Sequence, residues 1–353
     1  MYIRKLHLDT QAMMHFQVPL LNTVALIIII IPSGTILITT NNHFGTTNFA
    51  YGQTNQTNTN NVNPPNIQNI PVKKVQVGDI DIGYKTFGNG EPFLLISGSG
   101  MKMDGWEPSI LKNLSTNHTV IVFDPRGVGN TTTGTKPFSI QQFANDTAGL
   151  LDALKIQKAD VLGFSLGSYV AQQLVVTHPE KFNRLLLVAA SCGGRESIPQ
   201  SPQVVRFYVE MIKNSTNNIP ITPQDVRMDT FISMGSAWMK SHPNLLQGVP
   251  EHLNFSEFSG LPLNTFKEYY GAILAWISTN WSGVCDKLTR VSSPTLIISG
   301  TDDITVPTAN SLIIATKIPD AWLVHIKDAG HAIMYQYPNK FNKVLQTFLS
   351  TTN

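Results

Sequence analysis

Asp160-Val161-Leu162-Gly163-Phe164-Ser165-Leu166-Gly167-Ser168-Tyr169-Val170-Ala171 runs from a short apolar segment, through a serine with a glycine two residues to either side, into apolar residues at helical spacing that continue to Val176. The pattern reads as strand, sharp turn, helix. In so tight a turn the backbone of the central residue is strained. Any side chain larger than hydrogen at Gly163 or Gly167 would collide with the neighbouring helix and strand. The turn lifts Ser165 Oγ clear of the sheet, which is where a nucleophile would need to be.

Outward from this turn, short apolar runs alternate with helical ones. Val72 to Val77 and Ile80 to Phe87 are expected to pair antiparallel around the Gly78-Asp79 turn. Phe93 to Ile96, Thr119 to Phe123, Arg184 to Ala190, Thr295 to Ser299 and Trp322 to Ile326 read as further strands. Glu107 to Leu114, Ile140 to Leu154 and Lys340 to Leu349 read as helices; the second carries Ile140, Phe143, Ala144, Ala148, Leu151 and Leu154 on one face. Strands alternating with helices predict an α/β fold, a mainly parallel sheet with helices on both faces. The stretch 193–282 breaks the rhythm. It offers helical patterns at Val204 to Ile212, Pro223 to Lys240 and Leu263 to Trp276 but no buried strand, so it is expected to be a helical cap inserted over the C-terminal edge of the sheet. Its aromatic and methionine side chains, Phe207, Tyr208, Met211, Trp238, Tyr269, Tyr270 and Trp276 among them, serve either to pack the cap on the core or to line an apolar pocket.

The chain has 353 residues, 42% of them hydrophobic, and a formal net charge of +2. With no block of Lys and Arg it has no basic patch to collect nucleic acid, and a nucleic-acid partner is not expected. Cys192 and Cys285 stand far apart with no Cys-x-x-Cys spacing, so neither a metal site nor a disulfide framework is indicated, and a single bridge between them stays open. Residues 1–40 differ from the rest. Arg4 and Lys5 precede the unbroken apolar stretch Val24 to Ile31, followed by Pro32-Ser33-Gly34 and Thr35-Ile36-Leu37-Ile38. A helix that stops at Pro32 suits a cleavable signal peptide, whereas one that runs on to Ile38 could span the roughly 30 Å of a bilayer core as an anchor. Either reading puts the bulk of the chain outside the cytoplasm, with membrane attachment through this segment an open alternative to secretion. Residues 41–70, rich in Asn, Thr, Gln and Gly, are expected to form a flexible linker to a core made of 71–192 and 283–353.

A serine hydroxyl is a weak nucleophile until a base removes its proton, so Ser165 calls for a histidine and an orienting carboxylate. Gly300-Thr301-Asp302-Asp303-Ile304-Thr305-Val306-Pro307 follows one expected strand and Asp328-Ala329-Gly330-His331 the next. The order serine, aspartate, histidine is the one this triad takes in such a sheet.

These residues together resemble the α/β-hydrolase superfamily, in its capped branch of small esterases, haloperoxidase-like enzymes, C–C hydrolases and proline aminopeptidases. Phe123-Asp124-Pro125-Arg126-Gly127-Val128-Gly129 and His178-Pro179-Glu180 are similar to further motifs of that superfamily, and the resemblance spans roughly Val72 to Leu349. It implies an α/β-hydrolase fold and a serine hydrolase with no cofactor or metal, acting on a small acyl compound, with a carboxylesterase on apolar esters as the leading reading. A C–C hydrolase, an aminopeptidase or a non-catalytic ligand-binding protein of the same fold are the alternatives. The superfamily's Gly-x-x-Asp spacing from Gly300 implies Asp303 rather than Asp302 as the partner of His331, and assigns Asp124 and Arg126 to holding loops together. For the developing oxyanion, one donor is expected at the N–H of Leu166. The other lies in Ser97-Gly98-Ser99-Gly100, where relatives commonly carry His-Gly; that match puts it at Ser99, with Gly98 the neighbouring alternative.

Overall fold

A computed structural model of the chain describes residues 67–247, 253 and 255–351. The expected export segment and nearly all of the expected linker lie outside the described residues. The first described element is Ile67–Asn69, a short 3-10 turn inside the expected linker, whose Ile67 is buried and whose Ile67 carbonyl accepts a hydrogen bond from Lys85 Nζ at 2.9 Å. Among the described residues, no helix is long and apolar enough to cross a membrane.

Eight strands form one sheet: β1 (Lys73–Val77), β2 (Ile80–Phe87), β3 (Glu91–Ile96), β4 (His118–Phe123), β5 (Ala159–Phe164), β6 (Phe182–Val188), β7 (Thr295–Gly300) and β8 (Trp322–Ile326). Their spatial order is β1-β2-β4-β3-β5-β6-β7-β8, with β2 antiparallel to both its neighbours and every other pair parallel. The helices are α1 (Pro108–Ser115), α2 (Ile140–Ala153), α3 (Leu166–Thr177), α4 (Pro202–Thr216), α5 (Pro223–Met234), α6 (Ser236–Ser241), α7 (Phe255–Ser259), α8 (Leu263–Ile277), α9 (Ala309–Lys317), α10 (Ile333–Gln336) and α11 (Pro338–Thr351).

The inner strands β3 to β7 are largely apolar runs because both faces of the sheet are covered there, whereas the edge strands β1 and β8 are partly exposed. Successive side chains point to opposite faces, so Leu94, Ile96, Val161 and Leu185 join one core with Ile140, Phe143, Tyr169 and Leu174 of α2 and α3. Phe93, Leu95, Leu162 and Leu186 join the other, with Ile110 and Leu114 of α1 and Phe341, Leu345 and Phe348 of α11. Each such fully buried side chain contributes about 1.5–3 kcal/mol relative to exposure. Helix starts are set by capping residues: Ser139 Oγ accepts from Gln142 N at 3.0 Å ahead of α2, and Thr222 with Asp225 forms a capping box ahead of α5.

The expected turn Asp124 to Gly129 is held by its own polar side chains. Asp124 accepts from the N–H groups of Met103 and Asn130, at 2.8 and 2.7 Å. Arg126, almost wholly buried, grips Asp146 and Asp79 with paired bonds of 2.8–2.9 Å. That guanidinium holds the Asp79 carboxyl well below the usual carboxylate range. Both residues act in loop architecture, as the sequence implies.

The insertion between β6 and β7 is helical, α4 to α8, and leans on the core at several points. Tyr269 of α8 donates to the Arg126 carbonyl at 2.8 Å, and Trp276 stacks on Tyr169 with ring centroids 5.7 Å apart. Two features depart from expectation. The single helical pattern Pro223 to Lys240 is broken at Gly235, which adopts φ 75° and lies so close to Asp302 that a Cβ there would sit 2.8 Å from the Asp302 Cβ. At the neck of the insertion Cys192 and Cys285, both fully buried, form a disulfide with Cα atoms 5.1 Å apart, and the neck is further closed by Val284 N donating to the Cys192 carbonyl at 2.9 Å. The open alternative at the two cysteines is therefore the one realised.

Candidate active site

Ser165 follows β5 directly and begins the turn into α3 with φ 53° and ψ −120°, a region costing about 1–3 kcal/mol for a residue with a Cβ. The strain is held from both sides. Ser165 N donates to the Val188 carbonyl at 2.9 Å, and the Ser165 carbonyl accepts from Ser168 N at 2.8 Å and from Ser168 Oγ at 2.6 Å. The flanking glycines are sterically compulsory: a Cβ on Gly163 would lie 2.2 Å from the Gly167 carbonyl oxygen, and one on Gly167 would lie 2.0 Å from that of Ile96. With β3 and β5 side by side, the elbow and the 97–100 loop meet where the chain's windings diverge, α1 to one face and α2 to the other.

The loops after β7 and β8 bring Asp303 and His331 to the same point. His331 Nε2 lies 2.9 Å from Ser165 Oγ, and His331 Nδ1 lies 2.9 Å from Asp303 Oδ2. The other Asp303 oxygen accepts from Thr305 N at 2.9 Å and Val306 N at 2.8 Å, so the carboxylate is fully engaged although only 4% exposed. An ionised carboxylate can only accept. His331 therefore keeps its proton on Nδ1 and presents Nε2 as the acceptor for the Ser165 hydroxyl. Ser165 and His331 are 2% and 1% exposed, and the Phe164 ring lies tilted beside the imidazole at 5.2 Å. Of the two adjacent aspartates, Asp303 is the one at His331; Asp302 turns instead to the start of α6, with Ala237 N at 3.5 Å.

Gly98 and Ser99 border the serine from the loop after β3. A Cβ on Gly98 would contact the Ser165 Cβ at 3.4 Å, and the Gly98 carbonyl is taken by Met101 N at 3.3 Å. None of Leu166 N, Gly98 N and Ser99 N donates to a backbone acceptor among the described residues, which leaves both the Ser99 and the Gly98 alternative open beside Leu166. Ser97 is fully buried with its hydroxyl unpartnered, and it lines a small cavity together with Ile96, Arg126, Phe143, Thr147 and Leu166. Among the described residues, no group of three or more His, Cys, Asp or Glu is placed to hold a metal ion.

Residues 91–338 match the family described as the alpha/beta hydrolase fold, about 70% of the chain. The chain belongs to that family. Similar proteins include a poly(3-hydroxyalkanoate) depolymerase of Ectopseudomonas oleovorans, 29% identical over 264 residues that cover 73% of this chain and 84% of the relative. A 3-oxoadipate enol-lactonase of Acinetobacter baylyi is 26% identical over 279 residues, 78% of this chain and 95% of the relative. Among solved structures, the enol-lactonase of Burkholderia xenovorans LB400 aligns with a TM-score of 0.62 at 23% identity, over 79% of this chain and all of that one. The meta-cleavage product hydrolase of Pseudomonas fluorescens IP01 aligns with a TM-score of 0.62 at 22% identity, over 80% and 99%. This α/β-hydrolase-fold chain is an enzyme, a hydrolase.

Sequence reasoning missed the residues that tie the insertion to the His331 loop, Ser233, Met234 and Gln336. Gln336 belongs to a four-residue helix with no periodicity to detect, and the one usable signal was Gly235 interrupting a helical pattern.

Proposed function

We propose that the enzyme is a serine hydrolase, a carboxylesterase acting on an uncharged, apolar ester through an acyl-enzyme. The unbroken chain of 2.9 Å contacts from Ser165 Oγ through His331 to Asp303 carries this reading. Ser165 Oγ attacks the ester carbonyl carbon while its proton passes to His331 Nε2. Negative charge builds on the carbonyl oxygen, to be received by the N–H of Leu166 together with that of Ser99, or of Gly98 as the neighbouring alternative. His331 then hands the proton to the leaving alkoxide as its C–O bond breaks. Water repeats the sequence on the acyl-serine: it gives a proton to His331, adds to the carbonyl, and expels Ser165, which regains its proton as the carboxylic acid departs. Asp303 holds the imidazole in the tautomer this requires and offsets the charge of the imidazolium.

An apolar substrate is supported by the insertion over the site, whose Tyr208, Met211, Met234, Tyr270 and Trp276 are all buried. An ester is supported by the similar proteins whose names are poly(3-hydroxyalkanoate) depolymerase and enol-lactonase, a lactone being a cyclic ester. Secretion or anchoring by residues 1–40 remains part of the proposal, supported by the Cys192–Cys285 disulfide, a bond that oxidising compartments maintain. The N-terminal residue of the mature protein would separate cleavage from anchoring.

A fluorophosphonate probe tests the central claim. Folded protein should be modified at Ser165, and Ser165→Ala should abolish both labelling and ester hydrolysis. A wild-type protein left unlabelled, or a Ser165→Ala variant as active as wild type, would refute it. Across a panel of graded p-nitrophenyl esters, aminoacyl amides and a vinylogous diketone, cleavage of the amides alone would replace the esterase by a peptidase.

A further inference from the structure

The peptide N–H groups on either side of His331 are both tied to one corner of the helical insertion, one directly and the other through Gln336. Ala332 N donates directly to the Ser233 carbonyl at 3.0 Å. Gly330 N donates at 2.8 Å to Gln336 Oε1, and Gln336 Nε2 in turn donates to the Met234 carbonyl at 2.6 Å. The partners fix the orientation of this amide, since its oxygen faces an N–H and its nitrogen faces a carbonyl. Gln336 is buried, so neither bond is weakened by competing water. Gly330 is packed so tightly against the same corner that a Cβ there would lie 2.5 Å from the Met234 carbonyl carbon and 2.7 Å from Gly235 N.

The corner holds the aspartate loop as well. Thr305 Oγ donates to the Ile232 carbonyl at 3.2 Å, and Thr305 N is one of the two donors to Asp303. Four consecutive residues, Ile232 to Gly235, thus brace both loops that carry the partners of Ser165. An imidazole that must accept a proton from one side and deliver it to another works only within a narrow range of positions, and a displacement of about 1 Å can cost on the order of a hundredfold in rate.

We propose that Gln336 is a positioning residue that couples the insertion to catalysis, by holding the His331 backbone to the Ser233–Met234 corner. The proposal rests on the serine-hydrolase reading of the site. It makes the α5–α6 corner a fixed support of the two loops that carry His331 and Asp303.

The test compares Gln336→Met and Gln336→Glu with wild type, using p-nitrophenyl butyrate as substrate and a fluorophosphonate to count competent sites, so that kcat per titrated site is independent of any loss in folded protein. Gln336→Met keeps the length and loses both bonds. Its kcat should fall on the order of tenfold or more, with KM within about twofold and the same ratio to wild type at every pH. Gln336→Glu keeps an acceptor for Gly330 N but, when ionised, sets a carboxylate against the Met234 carbonyl. Protonation restores a donor, so its kcat should approach wild type as pH falls, a recovery that Gln336→Met does not show. If Gln336→Met retains wild-type kcat, or loses only KM, or if the two variants show the same pH-independent ratio, the proposal is overturned. Wild-type protein that fails to label at Ser165 would remove the serine-hydrolase reading and this proposal together. Labelled wild type with an unaffected Gln336→Met removes this proposal alone.

Discussion

Replacing both Cys192 and Cys285 by alanine opens a bond that closes a loop of 93 residues' separation, for which the chain-entropy relation gives about 4.6 kcal/mol at 25 °C. Set against a total stability of about 5–15 kcal/mol, that is a large fraction. Both sulfurs are fully buried at the neck, so the variant also leaves a small packing defect, which adds to the loss. Urea unfolding followed by tryptophan fluorescence reads the effect as a shift in midpoint. With a slope of about 3 kcal/mol per molar for a chain of this size, the midpoint should fall by about 1.5 M. Wild type unfolded in the presence of dithiothreitol should show most of this shift, the smaller remainder in the variant being the packing defect left by the alanines. Ester hydrolysis at 25 °C should change by less than about twofold, because the Val284–Cys192 backbone bond still closes the neck. A midpoint shift below about 0.3 M, worth under about 1 kcal/mol, would refute the argument that this bond restrains the unfolded chain.

Burial pushes the Asp229 carboxyl up to about 7, against the Tyr208 hydroxyl that donates to it and lowers it. The folded protein therefore binds a proton that the unfolded chain releases; the resulting stability is fully present below about pH 4 and is lost as pH rises through about 7. Asp229→Asn should equal wild type in unfolding free energy near pH 4 and exceed it at pH 8 by on the order of 4 kcal/mol, read by urea unfolding, and parallel pH–stability curves would contradict this. Gly167→Ala, which places a Cβ 2.0 Å from the Ile96 carbonyl oxygen, should abolish fluorophosphonate labelling and lower stability by about 3 kcal/mol or more, measured by labelling and thermal unfolding side by side. Arg126→Lys loses the paired bonds to Asp79 and Asp146 and leaves Asp146 buried beside a poorer partner. It should cost about 3–5 kcal/mol of stability while kcat per titrated site stays within about twofold, since no atom of this cluster touches Ser165, Asp303 or His331.

The centre of the sheet was legible because its inner strands are buried on both faces and appear as apolar runs; of the partly exposed edge strands, β8 was anticipated residue for residue and β1 to within one residue at its start. The elbow glycines were legible for a similar reason, their need being local and steric. Ser165, Asp303 and His331 were anticipated because strand ends are fixed by the topology and each residue sits just past one. The features not read are the ones made through space. Nothing around Cys192 or Cys285 marks the other as a partner, because their proximity is produced by the two ends of the insertion returning to adjacent strands β6 and β7. The break at Gly235 was marked in the sequence only by the glycine itself, because helical periodicity continues across it, and the close packing against Asp302 and Gly330 that accompanies the turn is made through space. Gln336 makes its two bonds with residues 6 and 102 positions away. No single-sequence pattern joins such distances.

The neck of the insertion has a consequence for how this enzyme can be rebuilt. The chain leaves the core at Cys192 and returns at Cys285 with Cα atoms 5.1 Å apart, a gap that a tight turn bridges, so the sheet does not depend on what lies between for its connectivity. In engineering terms the insertion is a cassette, exchangeable between scaffolds without redesigning a strand. A replacement cassette that merely closes the gap would give a folded core; to give a working one it must also bring carbonyl groups to the places now held by Ile232, Ser233 and Met234.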